Sequence, residues 1–265
     1  MADVSILVPN YKTEQLTKIC LRLLRKHTDP TRIRVIAVDN HSRDASTEYL
    51  RSLSWIELIE RQPEPDDTPS LSHSRALDMA LARVDTPYVL SIHTDTFVYR
   101  DDWLDYLLAP FQANPDVAGV GSWKLEVKPP LRRAAKAIED YWQRKTYPLR
   151  GRPLPEELVE GHYLRSHCAI YRTDLIREYG LSFSADRDTA GRKLHQALVA
   201  KGHEMVFLPA PALMRYMLHL NHATMVLNPE LGSRSRSIRK GLKRIEQGLK
   251  TIQAERVLAD VSLDA

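Results

Sequence analysis

Short, mostly hydrophobic runs alternate with amphipathic stretches through the first hundred residues. Residues 4–8, 33–38, 56–59 and 88–92 have the length and the β-branched or aromatic content of buried strands. Between them, residues 13–26 place Leu16, Ile19, Cys20, Leu23 and Leu24 on one helical face, and residues 45–53 and 71–82 read as further helices. A β-α-β-α-β order with short continuous apolar strands predicts a mostly parallel sheet covered by helices on both faces. Right-handed crossovers bring the loops after Val8, Val38 and Ile92 to one edge of that sheet.

Beyond Trp103 the rhythm loosens. Residues 117–120, 124–127, 167–171 and 205–208 read as strands, and 131–145, 173–179 and 189–201 as helices, the last two closed by Gly180 and Gly202. Near the end, Ile238, Leu242, Ile245, Leu249 and Ile252 recur at spacings of four and three, one apolar stripe on a C-terminal helix. The expected division is a body over residues 1–230, with halves 1–125 and 126–230, and a basic amphipathic helix over 231–265.

Composition narrows the class. With 265 residues, 43% hydrophobic and 27% charged, the chain is an ordinary globular protein. No apolar run approaches the ~20 residues that cross a bilayer, and the N-terminus carries no signal-peptide pattern, which predicts a cytoplasmic protein. Cys20 and Cys168 sit in apolar surroundings and read as buried free thiols. The net charge of +4 is uneven: Arg234 to Arg256 holds eight Lys or Arg against two Glu. That helix suits docking on the body, homodimerisation or peripheral contact with an anionic surface. Nucleic-acid binding is not expected of it.

The candidate chemistry lies at three strand ends. The first strand runs into Pro9, Asn10 and Tyr11, where an aromatic can stack on a flat ring. The second ends in Asp39, Asn40, His41 and Ser42, and a carboxylate there can accept from an imide N–H or a ribose hydroxyl. The third breaks from its apolar run into His93, Thr94 and Asp95. Each set alone is also ordinary turn and capping chemistry. Three on one edge of one sheet form a nucleotide-site pattern. No glycine-rich loop follows the first strand, which argues against a dinucleotide site or a P-loop.

The stretches VSILVPNYKTE, VIAVDNHSRDAS and SRALDMALARVDTPYVLSIHTDTFVYRDDWL resemble the opening half of family 2 glycosyltransferases with the GT-A fold. The resemblance implies a Rossmann-like, mostly parallel sheet flanked by helices, here with a C-terminal helical extension. It implies an inverting transferase that moves a sugar from a nucleotide-sugar donor, UDP-linked by preference, to a glycan or small-molecule acceptor, as in polysaccharide biosynthesis. The nucleotide-binding set then falls on Pro9, Tyr11, Asp39, Arg75, His93, Thr94 and Asp95. The family's metal motif is two aspartates one residue apart, whereas this chain reads His93-Thr94-Asp95. A divalent cation, Mn²⁺ or Mg²⁺, is expected on Asp95, and His93 either joins it or meets the ribose. A late histidine, His219 or His222, completes the ligand set. The acidic pair ahead of the 189–201 helix supplies the base, Asp188 with Asp186 as alternate, although Asp188 also suits a helix cap. His162 and His167 are expected on the acceptor side. The alternative is a non-catalytic nucleotide- or glycan-binding protein whose metal motif has decayed.

Overall fold

A computed structural model describes residues 2–125, 130–154, 161–185, 189–231 and 235–265, with the side chains of 130–137 and 235–237 left aside. Seven strands form the main sheet: β1 (Val4–Asn10), β2 (Ile33–Asp39), β3 (Ile56–Glu60), β4 (Tyr88–Ile92), β6 (Val117–Gly121), β7 (Cys168–Arg172) and β8 (Glu204–Phe207). Their order is β3-β2-β1-β4-β7-β6-β8. The sheet is parallel except for β7, which runs antiparallel to both β4 and β6. The strand predicted over 124–127 does not begin at Lys124 or Leu125, and its remainder lies outside the described residues.

Side-chain alternation explains why the strand runs are apolar throughout. Ile6, Val8, Val35, Ala37, Leu90 and Ile92 enter one core, while Leu7, Ile36, Val38 and Val89 enter the other. The first core is closed by α1 (Glu14–Lys26), α2 (Ala45–Ser52) and α4 (Trp103–Ala113), and the second by α3 (Pro69–Leu81) and the helix Arg192–Ala200. Helix α3 starts two residues earlier than its apolar spacing implies. Thr68 caps it by accepting from Leu71 N, and Pro69 sits at the first turn, where its missing N–H costs nothing.

A small second sheet positions the chemistry. Strand β5 (Thr96–Val98) pairs antiparallel with β9 (Met217–His219), with Thr96 opposite His219. Each is three residues long, too short to show a period in sequence.

The C-terminal helix Ser235–Thr251 lies against the body. Ile245 is buried, Ile238, Leu249 and Ile252 pack on the first core, and Leu242 alone of the stripe is exposed. Gly241 and Gly248 let the helix backbone close on Val226 and Leu220. Arg22 of α1 then pins the chain end, with its guanidinium 4% exposed, 2.5 Å from Asp264 and donating to the Val257 and Leu258 carbonyls.

Candidate active site

The first two strand-end loops are tied into one unit. Asn10 is 1% exposed, and its amide donates to Asp39 Oδ1 at 2.7 Å and to Ser46 Oγ at 2.9 Å. Its carbonyl accepts from Thr17 Oγ1 at 2.7 Å. Asp39 also accepts from Ser42 N (3.0 Å), Ser42 Oγ (2.5 Å) and Thr47 Oγ1 (3.1 Å). Those bonds engage both carboxylate oxygens twice, so Asp39 shapes the loop. Tyr11 is half-buried at the rim of this unit.

Arg75 is also engaged. Its guanidinium lies 2.7 Å from Asp66, 2.6 Å from Asp67 and 3.3 Å from Glu64. The buried Arg61, which the sequence did not single out, shares Asp67 at 2.6 Å. The acidic loop between β3 and α3 therefore neutralises both arginines.

At the end of β4 the third loop turns inward, and Thr94 and Asp95 are each 3% exposed. The backbone of Asp95 is fixed by Leu220 N donating to its carbonyl at 2.9 Å, and Oδ2 accepts from Ala223 N at 3.0 Å. Oδ1 faces His219 Nε2 at 3.2 Å and His93 Nδ1 at 3.8 Å. Burial opposes the Asp95 charge, yet His219, His93 and the Ala223 N–H together hold its carboxyl well below the usual range. Among the described residues, His93, Asp95 and His219 form the one group of side chains that converges closely enough to hold a metal ion.

The fit to a cation rests on two orphaned atoms. Asp95 Oδ1 and His219 Nε2 are sealed from solvent and lack a hydrogen-bond partner although they face each other. Such groups are rare unless a ligand or ion completes them. Of the two late histidines, only His219 belongs to the group. Its register opposite Thr96 brings it beside Asp95, whereas His222 lies in a left-handed turn (φ 61°) that caps the helix Ala223–Leu227.

Other histidines surround the triad. His73 and His93 meet edge-on at 4.7 Å and share Ser166 Oγ through their Nε2 atoms, at 3.2 and 3.0 Å. His167 stacks flat on His219, with centroids 4.5 Å apart, and its Nε2 bonds Ser122 Oγ at 2.9 Å. Burial holds all three neutral: His73 falls to about 4, and His93 and His167 lie well below the ordinary histidine value. His167, expected near the acceptor, thus packs against His219 of the group around Asp95. His162 instead stacks on Trp123 at 5.0 Å. The proximity of His73 and Ser166 has no sequence signal beyond their being polar residues next to recognised motifs.

Asp186 and Asp188 lie outside the described residues. The chain leading to them is held by Asp78 of α3, whose carboxylate accepts from Phe183 N at 2.6 Å and Ser184 N at 3.0 Å. The helix they precede runs over Arg192–Ala200, with Gly191 (φ 78°) at its N-cap, and does not start at 189.

Three solved structures share this architecture. S. aureus TarS 1–349 aligns with a TM-score of 0.55 and 15% identity, over 94% of this chain and 72% of that one. Mannosyltransferase PcManGT from Pyrobaculum calidifontis, in complex with GDP-Man and Mn²⁺, gives 0.53 and 15% over 98% and 74%. Glucosyl-3-phosphoglycerate synthase from Mycobacterium tuberculosis, in complex with phosphoglyceric acid, gives 0.51 and 18% over 92% and 80%. No curated protein matches the sequence. The sheet with its flanking helices is the GT-A fold, and the sequence pattern of glycosyl transferase family 2 matches residues 5–180. The chain belongs to glycosyl transferase family 2 and is a glycosyltransferase.

Proposed function

We propose that the protein transfers a sugar from a UDP-linked donor to a glycan or small-molecule hydroxyl with inversion, and that His93, Asp95 and His219 hold the divalent cation this requires. The observation that carries the reading is the facing pair of orphaned atoms, Asp95 Oδ1 and His219 Nε2, with His93 Nδ1 beside them. A cation there neutralises the charge that develops on the leaving diphosphate. Two imidazoles and one carboxylate are a donor set that favours Mn²⁺ over Mg²⁺. Among the structural neighbours, PcManGT was solved with GDP-Man and Mn²⁺, and TarS 1–349 with UDP at a TM-score of 0.52.

The remaining residues divide the work. Tyr11 stacks on the base, on a rim kept rigid by Pro9, Asn10 and Asp39. Thr94 locks the third loop to the first through Thr13 Oγ1 at 3.1 Å. Arg75, with Arg61, reaches the diphosphate by exchanging Asp66 and Asp67 for phosphate oxygens, which turns the acidic loop into a competitor of the donor. Asp188, with Asp186 as alternate, takes the proton of the acceptor hydroxyl as its oxygen attacks the anomeric carbon. The bond from that carbon to the diphosphate oxygen breaks with its electron pair leaving on the diphosphate. Asp78 positions this base by fixing the chain two residues before Asp186.

Calorimetric titration of UDP with and without Mn²⁺, on wild type and Asp95→Ala, tests the reading. Metal-dependent binding that disappears in the variant is expected. Failure of wild type to bind UDP, GDP or dTDP with either metal would sink it. Hydrolysis of a donor panel, with Asp188→Ala as control, then assigns the sugar and the base.

A further inference from the structure

Over residues 138–149, helix α5 (Pro130–Leu149) presents its apolar side outward. Asp140, Gln143, Thr146 and Tyr147 are its half-buried positions, while Ile138, Tyr141, Trp142 and Leu149 are 60%, 57%, 58% and 86% exposed. At the helical advance of about 100° per residue, positions 138, 141, 142, 145 and 149 fall within one arc of roughly 100°. Four of the ten exposed large hydrophobic side chains among the described residues therefore lie on this single stripe, and the other six are scattered. Isolated exposed apolar residues need no explanation, but a contiguous stripe marks an interaction surface.

Charge identifies what covers it. From Pro130 to Arg152 the sequence carries seven Lys or Arg against two acidic residues. Arg144, Lys145, Arg150 and Arg152 are exposed, and Lys145 Nζ lies 5.9 Å from the centre of the Tyr141 ring. A second copy of the chain on this face would set two such positive surfaces against each other. An anionic bilayer surface matches it instead. Tyrosine and tryptophan rings settle at headgroup depth, aliphatic side chains reach the acyl boundary, and flanking lysine and arginine meet the phosphates. The C-terminal helix is equally basic, but its apolar stripe is used up against the body.

We propose that this face of α5 rests on a bilayer that contains anionic lipid. Trp142, Tyr141, Ile138 and Leu149 lie at the headgroup boundary, and Lys145 and Arg150 lie against phosphate. The proposal is independent of the donor, the cation and the catalytic base.

The test is co-sedimentation of the full chain with vesicles of phosphatidylcholine alone, or with about one-third phosphatidylglycerol. Binding to the anionic vesicles is expected. It should weaken about tenfold or more in the double variant Tyr141→Ser, Trp142→Ser. It should weaken about fivefold for each of Lys145→Gln and Arg150→Gln. All variants should melt as wild type does. Brominated acyl chains should quench the wild-type tryptophan fluorescence and quench Trp142→Phe far less, though that variant still binds. Four results each overturn the proposal: no binding to anionic vesicles, full binding by the double variant, equal loss in the tail variant Lys240→Gln, Lys243→Gln, or self-association abolished by the double variant.

Discussion

Ser166 is the perturbation that isolates how the proposed ligand set, His93, Asp95 and His219, is oriented. For His93 Nδ1 to offer a lone pair to a cation held beside Asp95, its proton must sit on Nε2, where it donates to Ser166 Oγ at 3.0 Å. The Ser166 hydroxyl then donates onward to His73 Nε2 at 3.2 Å, which is consistent with a neutral His73. Ser166→Ala cuts this relay without removing any ligand atom. Groups that orient a ligating histidine are worth about 10- to 100-fold in metal affinity. The leftover part-buried Nε2–H costs a further ~1–3 kcal/mol of stability unless water reaches it. The assay is calorimetric titration of Mn²⁺ into metal-stripped protein, with cobalt(II) absorption as a readout of coordination. Ser166→Ala should bind 10- to 100-fold more weakly with an altered cobalt spectrum, and Ser166→Thr, which keeps the hydroxyl, should restore most of both. Unchanged affinity and spectrum in Ser166→Ala, alongside abolished binding in His219→Ala, would refute the assigned tautomer and leave His93 outside the ligand set.

Other predictions follow from packing and charge. His195 is 5% exposed, accepts from Leu164 N, and is held neutral by burial with its pKa lowered to about 4. A depressed folded-state value means its stability contribution is complete above the unfolded value of 6.5 and is lost as pH falls from 6.5 towards 4. That amounts to about 2 kcal/mol between pH 7 and 5, so urea unfolding of His195→Asn should show a correspondingly flatter pH dependence there. Gly121→Ala should destabilise by about 1–3 kcal/mol, because a Cβ would meet the Cys168 carbonyl at 2.5 Å and Ala169 Cα at 3.1 Å across the β6–β7 ladder; a urea midpoint at or above wild type would contradict this. Asp264→Ala strips the nearly buried Arg22 and the Tyr49 hydroxyl of a shared partner. A loss of about 3 kcal/mol is expected, with little salt dependence in chemical denaturation.

Much of this protein was legible because its signals are local and periodic. The continuous apolar strands, the i, i+3, i+4 face of α1 and the turn-rich strand ends each carry their own reason for forming. The crossover rule then places Asn10, Asp39 and Asp95 on one sheet edge. The same locality let His93-Thr94-Asp95 stand out as a departure from the family's paired aspartates. Lone polar residues were less legible. Asp39 reads as a base-binding carboxylate, yet Asn10, Ser42 and Thr47 engage it from three separate points in the chain. Arg75 reads as a phosphate ligand, and only the structure shows that a diphosphate would have to displace Asp66 and Asp67 from it.

The sequence by itself therefore determined the layered α/β body, the sheet edge where its polar loops gather, and the family. Tertiary structure decided that His219 and not His222 joins Asp95, because the register of two three-residue strands sets that distance and no periodicity encodes it. It also decided which basic helix has a free apolar face. The tail's stripe and the stripe on α5 look alike in a one-dimensional pattern. Only the close approach of Gly241 and Gly248 to the body buries the first and leaves the second open.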